Sequence, residues 1–311
     1  MSTDRTPTYE GRPLARPDEE VVDQGLQFDL GTLVTRRRVL SFLGIGAATV
    51  GLAACGGSSS TAAGSSSTAA ASSAAATSAG EIPEETAGPY PGDGSNGANV
   101  LTESGIVRSE IRSSFGSASA TAEGVPMTLT LTVQDLAAGG AYEGAAVYVW
   151  HCTREGGYSL YSDGVTDQNY LRGVQVADAN GTVTFTSVYP ACYDGRWPHI
   201  HFEVYPDQAS ITDTSTLLST SQLALPKSTC DTVYKQTGYE QSVTNLAKVS
   251  LASDGVFGDD AGATQLGAIS GSVASGYTVR LDVGIDTSTT PTGGGAPGGG
   301  GMGGPGGPPP N

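Results

Sequence analysis

The chain has 311 residues, with 15 Lys and Arg against 31 Asp and Glu for a net charge of −16, and 45 of its residues are glycine. Such an acidic surface repels phosphate backbones, which argues against nucleic acid as a partner. Large apolar side chains are scarce in the Ser/Ala run 55–80 and in the Gly/Pro run 287–311, so neither offsets its ordering entropy, and one folded domain over 81–286 is expected.

Residues 1–54 read as an export signal. Thr35-Arg36-Arg37-Arg38-Val39-Leu40-Ser41 supplies a twin-arginine pattern, and 42–54 is an apolar run too short to span a bilayer as a lasting helix. It ends at Leu52-Ala53-Ala54-Cys55, which resembles a bacterial lipobox with Cys55 as the acylated residue. The expectation is a lipid anchor on the outer face of the cytoplasmic membrane or cell envelope, with 55–80 as spacer. Twin-arginine export moves folded proteins, often with a metal in place, and so favours a metalloprotein.

After a lead at 81–98 punctuated by Pro and Gly, segments alternate or cluster as strands do. Residues 127–133 alternate strictly, and 145–150, 174–177, 183–186, 200–205 and 277–283 are rich in β-branched and aromatic residues. Asp178-Ala179-Asn180-Gly181 is a hairpin signal, and helix is expected only around 228–234 and 240–246. Many short strands and turns predict an all-β fold, an antiparallel sandwich or barrel. Cys152, Cys192 and Cys230 follow the signal; an oxidising compartment permits one disulfide among them, but the sequence does not choose the pair. No C-x-x-C spacing is present, which removes the simplest zinc-ribbon and thioredoxin-like readings.

Of three histidines, His199 and His201 sit together in Arg196-Trp197-Pro198-His199-Ile200-His201-Phe202, with Tyr193 upstream. On a strand both imidazoles share one face, while Ile200 and Phe202 point to the other. This suits a metal better than a nucleophile triad, for which no well-spaced Ser/His/Asp set exists; the alternative is a pair of solvated polar residues. A cupin pattern fails because Glu203 follows too closely, and a three-histidine zinc site would need His151 to converge on the pair. Tyr158, Tyr161, Tyr170, Tyr189 and Tyr193 offer phenolates, hard anionic donors that favour iron(III).

The ordered run Val147-Tyr148-Val149-Trp150-His151-Cys152, Gly156-Gly157-Tyr158-Ser159, Leu171-Arg172-Gly173, Asp178-Ala179-Asn180-Gly181, Tyr189-Pro190-Ala191-Cys192-Tyr193 and Arg196 to Phe202 resembles the core of the intradiol ring-cleavage dioxygenases. Glu85-Thr86-Ala87-Gly88-Pro89-Tyr90 is similar to that family's opening segment. The likeness covers about 85–285 and is strongest to exported, single-domain members. It implies a β-sandwich holding non-haem Fe(III) through Tyr158, Tyr193, His199 and His201, with Tyr161 the runner-up for the first tyrosine. It also implies that Arg196 faces the substrate, that Gln222 supports the site from behind the ligands, and that His151 is not a ligand.

The implied reaction uses dioxygen to open a catechol between its hydroxyl-bearing carbons to a cis,cis-muconate-type product, with Tyr193 displaced and protonated and Arg196 stabilising charge on the ring. Only five residues separate Tyr193 from His199, a shorter loop than in the cytoplasmic members, which predicts a more open pocket. A degenerate aryl- or metal-binding lipoprotein and a structural protein displaying the Gly/Pro tail are the rival readings. Neither the catechol nor the oligomeric state is legible.

Overall fold

The computed structural model describes residues 80–289, together with the backbone of a small antiparallel ladder between Thr8–Tyr9 and Arg12–Pro13. The chain divides into two units, Met1–Ala71 and Ser72–Asn311, and every element below belongs to the second. Apart from that ladder, the signal segment with Cys55, the linker as far as 79 and the tail beyond 289 lie outside the described residues. Among the described residues no helix is long and apolar enough to cross a membrane.

Nine strands follow in chain order: β1 (Pro126–Asp135), β2 (Gly140–Ala141), β3 (Ala146–Trp150), β4 (Arg172–Val176), β5 (Thr182–Val188), β6 (His199–Tyr205), β7 (Ser219–Ala224), β8 (Ala268–Ser272) and β9 (Gly276–Ile285). Two helices, α1 (Lys227–Val233) and α2 (Glu240–Leu246), sit between β7 and β8. One sheet runs β8-β9-β1-β5, with β2 pairing the end of β1; the other runs β4-β3-β6-β7. The all-β expectation holds with one departure from antiparallel order, because β9 pairs with β1 in parallel.

The core between the sheets follows from period-two alternation. Leu129, Leu131 and Val133 of β1 meet Val147 and Val149 of β3, Ile200, Phe202 and Val204 of β6, and Val279, Leu281 and Val283 of β9. Every residue of β3 and β6 is buried, so the second sheet is covered on its outer face too. There Ala146, Tyr148, Trp150, Val174 and Tyr205 pack against Ala87 of the lead segment, Val100, Leu101 and Ile106 just after it, and Tyr158 of the loop after β3. This outer layer holds the histidines.

Two sequence expectations change. Asp178 to Gly181 does form the expected tight turn, with Gly181 at φ 73° and its N–H on the Asp178 carbonyl at 2.8 Å. It joins β4 to β5, however, and these strands belong to different sheets, so the turn is a crossover rather than a hairpin. Strand β7, Ser-Thr-Ser-Gln-Leu-Ala, carries no apolar alternation and was not legible as a strand. It forms because the lead segment covers it: Glu85 N donates to Thr220 O at 2.8 Å, Ser221 Oγ to Pro83 O at 2.7 Å and Gln222 Nε2 to Thr86 O at 2.8 Å. All three described cysteines are buried free thiols, so no disulfide forms among them.

Phe202, wholly buried between the sheets, tests this core. Phe202→Ala should cost about 3–5 kcal/mol in urea unfolding; a loss under about 1 kcal/mol would show that the interior is not close-packed there.

Candidate metal centre

β6 places His199 and His201 on its outer face, both 2–3% exposed. Their Nε2 atoms approach to 3.0 Å, and the Tyr193 hydroxyl lies 3.1 Å from the Nε2 of His199. The His199 Nδ1 lies 2.5 Å from the Trp197 carbonyl, which can only accept; the proton is therefore on Nδ1, and the Nε2 lone pair points into the cluster. Tyr158 completes the set: its ring packs edge-on to Tyr193 and His201 at centroid distances of 5.9 and 6.2 Å, and its buried hydroxyl has no hydrogen-bond partner.

His201 is held differently from His199. Its Nδ1 is buried without a partner, and the ring is fixed by stacking. Trp150, opposite it in the β3–β6 register, lies parallel to the imidazole at 4.8 Å and 7°. Gly88, at φ 70°, comes close to the ring edge; a Cβ there would sit 3.4 Å from His201 Cε1.

The tyrosines are fixed from the loops. Tyr158 follows β3 in a turn where its N–H donates to Ser162 Oγ at 2.8 Å. The chain before Tyr193 is clamped by α2, with Ser242 Oγ accepting from Cys192 N at 3.0 Å and Asn245 Nδ2 donating to Cys192 O at 2.9 Å. Tyr161 does not join the donors: its hydroxyl accepts from Gly92 N at 3.0 Å and donates to Asn96 O at 3.3 Å. Tyr189 is bound up with the Cys230 thiol at 3.2 Å, and Tyr170 packs in a separate small cluster. His151 lies just past β3, bonded to Ser187 Oγ at 2.7 Å and to its neighbour's carbonyl, outside the cluster.

Arg196 reaches the site between two partners. Its Nε donates to Asp254 Oδ2 at 3.0 Å and its Nη2 to Gln222 Oε1 at 2.6 Å. Gln222 is the cross-strand partner of His201. Asp254 was missed by sequence reasoning. Nothing in Ser253-Asp254-Gly255 marks it, yet its buried carboxylate also accepts from Trp197 N at 2.6 Å, Val256 N at 2.8 Å and Phe257 N at 3.1 Å. It ties the loop before β6 to the segment after α2.

Burial governs the electrostatics. It pushes the Tyr193 phenol up to about 12 and Tyr158 well above its ordinary range, while the Arg196 charge pulls both back down. Burial drives His199 to about 3 and His201 well below the imidazole range, with Arg196 acting in the same direction. Both imidazoles are therefore neutral donors in a dry layer, next to two phenols that ionise only beside a cation. Among the described residues no group of three or more His, Cys, Asp or Glu gathers to hold a metal. The set here draws half its donors from tyrosine, and the unpartnered Tyr158 hydroxyl beside two convergent imidazole nitrogens fits a hard, highly charged cation such as Fe(III).

A family model described as Dioxygenase matches residues 108–212, a stretch that includes the four donors and Arg196. A chlorocatechol 1,2-dioxygenase of Rhodococcus opacus is 38% identical over 68 residues, 22% of this chain and 26% of the relative. The match thus spans about a quarter of that protein. The intradiol ring-cleavage dioxygenase structure from Tetranychus urticae superposes with a TM-score of 0.55 at 25% identity, covering 68% of this chain and 98% of that one. The chain is similar to intradiol ring-cleavage dioxygenases in fold and over the stretch that holds the candidate site.

One buried carboxyl on the same face gives a pH test. Glu203, two residues beyond His201, accepts from Tyr205 Oη at 2.9 Å, and burial next to Asp93 raises it to about 8. The unfolded chain loses this proton at lower pH, so the contribution to stability is full in acid and fades as pH rises through about 8. Glu203→Gln keeps the acceptor for Tyr205. It should leave stability unchanged near about pH 4 and raise it by about 1–3 kcal/mol above pH 8; an equal effect at both pH values in urea titrations would refute a neutral Glu203.

Proposed function

We propose that the chain is a non-haem iron(III) dioxygenase that opens a catechol between its two hydroxyl-bearing carbons to a cis,cis-muconate-type dicarboxylate. The observation that supports this reading above all is the convergence of Tyr158, Tyr193, His199 and His201 in one buried cluster. When bound, the ferric ion supplies Lewis acidity that draws electron density from a chelated catecholate and readies its ring for dioxygen.

The chain's residues divide the remaining work. Tyr158 is fully buried, whereas Tyr193 is partly exposed, so Tyr193 is the phenolate that can swing out and take a proton from an incoming catechol hydroxyl. Its basicity suits that step, because burial already holds its pKa high. Arg196 puts a fixed cation beside the reacting ring, oriented by Asp254 and Gln222 rather than by the substrate. Trp150 and Gly88 wall off His201, and Trp197, its indole N–H on Leu225 O at 2.9 Å, anchors the loop that presents Arg196. Water exclusion by these groups strengthens every charge interaction within.

We further propose export by the twin-arginine route and lipidation at Cys55, on the support of Arg36-Arg37 and the run that ends at Ala54. Labelled palmitate incorporated into the wild type and lost in Cys55→Ala is the expected outcome; equal labelling would exclude that anchor.

Iron-reconstituted protein should show the reddish charge-transfer band of ferric tyrosinate, shift it on anaerobic addition of catechol, and consume oxygen in air. A colourless, iron-free product after reconstitution refutes the reading, and a coloured protein that consumes no oxygen with any catechol favours a binding protein. Tyr158→Phe should remove most of the band and at least about tenfold of the iron affinity. Tyr161→Phe should keep the band and lose only about 1 kcal/mol of stability, because its hydroxyl serves Gly92.

A further inference from the structure

Two guanidiniums act on the donor set, and both are already committed. Arg172, 1% exposed, donates through Nε to Ser159 Oγ at 3.0 Å. Its Nη1 reaches Pro91 O at 2.7 Å and Tyr148 Oη at 3.1 Å, and its Nη2 reaches Tyr90 O at 2.9 Å and Ser159 O at 3.0 Å. All five of its N–H bonds point into protein. Arg196 is ion-paired with Asp254 at 3.0 Å.

Further carboxylates gather around Arg196. Glu85, partly exposed on the lead segment, accepts from Gln265 Nε2 at 3.3 Å, and the same amide donates to the carbonyl of Gln222 at 3.1 Å. Glu85 is thus two side chains from the guanidinium and feels its charge, along with those of the exposed Asp259 and Asp260. Burial lifts Glu85 to about 7, and both aspartates push it the same way. Across the segments 81–90, 193–201, 219–224 and 250–267, which meet here, Arg196 is the sole Lys or Arg. Asp254, Glu85, Asp259 and Asp260 therefore outnumber it four to one.

On the dioxygenase reading, a catechol's own oxygens would be taken up by the metal. A carboxylate elsewhere on its ring would need a cation of its own, and would meet only an arginine already ion-paired to Asp254 with further carboxylates nearby. We propose that the site selects catechols without an acidic ring substituent, accepting neutral and amine-bearing rings while rejecting carboxylated ones, and that Glu85 with Asp259 and Asp260 sets this selection. The proposal rests on the dioxygenase reading and adds the charge of its substrate.

The test is oxygen uptake by the iron-loaded full chain at about pH 8, where Glu85 is ionised, with three probes: catechol, an aminoethyl catechol and the carboxylated catechol protocatechuate. The expected kcat/KM for protocatechuate is about tenfold or more below that for catechol, with the aminoethyl ring at least equal to catechol. The gap should narrow at least about threefold in Glu85→Gln, in the surface variant Asp259→Asn/Asp260→Asn, and in high salt. The surface pair keeps the test open if Glu85→Gln folds poorly. Protocatechuate turned over as well as catechol, or a gap that neither variant nor salt moves, overturns the selection while leaving the dioxygenase reading intact. No uptake and no visible shift with any probe overturns both.

Discussion

Two imidazole nitrogens held 3.0 Å apart in a buried layer are the constraint on which the remainder of the site depends. Neutral imidazoles whose Nε2 atoms face each other satisfy only one lone pair between them, and protonating either is opposed by burial and by Arg196. A bound cation would resolve this at once. It would also resolve the unpartnered Tyr158 hydroxyl and give the Tyr193 phenol a reason to ionise. The strand has to be buried on both faces for the arrangement to exist, which is why the lead segment and the loop after β3 are needed as well as the sandwich itself.

The two faces of β6 were legible because alternation in a strand is geometric: once Ile200 and Phe202 are core, His199 and His201 must share the opposite side. The choice between Tyr158 and Tyr161 came from resemblance alone. In the structure a tight turn separates the two residues, and the Tyr161 hydroxyl is committed to Gly92. The two short helices were legible at nearly their full extent, at 227–233 and 240–246.

What escaped the sequence is what tertiary contact creates. Strand β7 has no apolar period and exists as a strand because side chains and backbone of the lead segment bond to it. Asp254 lies far along the chain from Arg196 in a segment of short turns, and no local pattern marks a carboxylate that will be buried against four donors. The turn at Asp178 was legible as a turn, but its flanking strands enter different sheets, and turn chemistry fixes the local bend without fixing the sheet that a strand joins.

The parallel partnership of β9 with β1 bears on how the molecule assembles. β9 lies between β8 and β1 in the first sheet, so a strand near the end of the folded domain fills an interior place: Leu129 pairs with Val279, and Ile82 N reaches back to Gly284 O at 2.9 Å. Closing so long a loop is entropically slow, and before it closes the edge of β1 stands open with its backbone groups unpaired. The sandwich therefore cannot be completed on the ribosome as its early strands emerge. It waits for residue 285, and until then its half-built sheet is the state most exposed to aggregation.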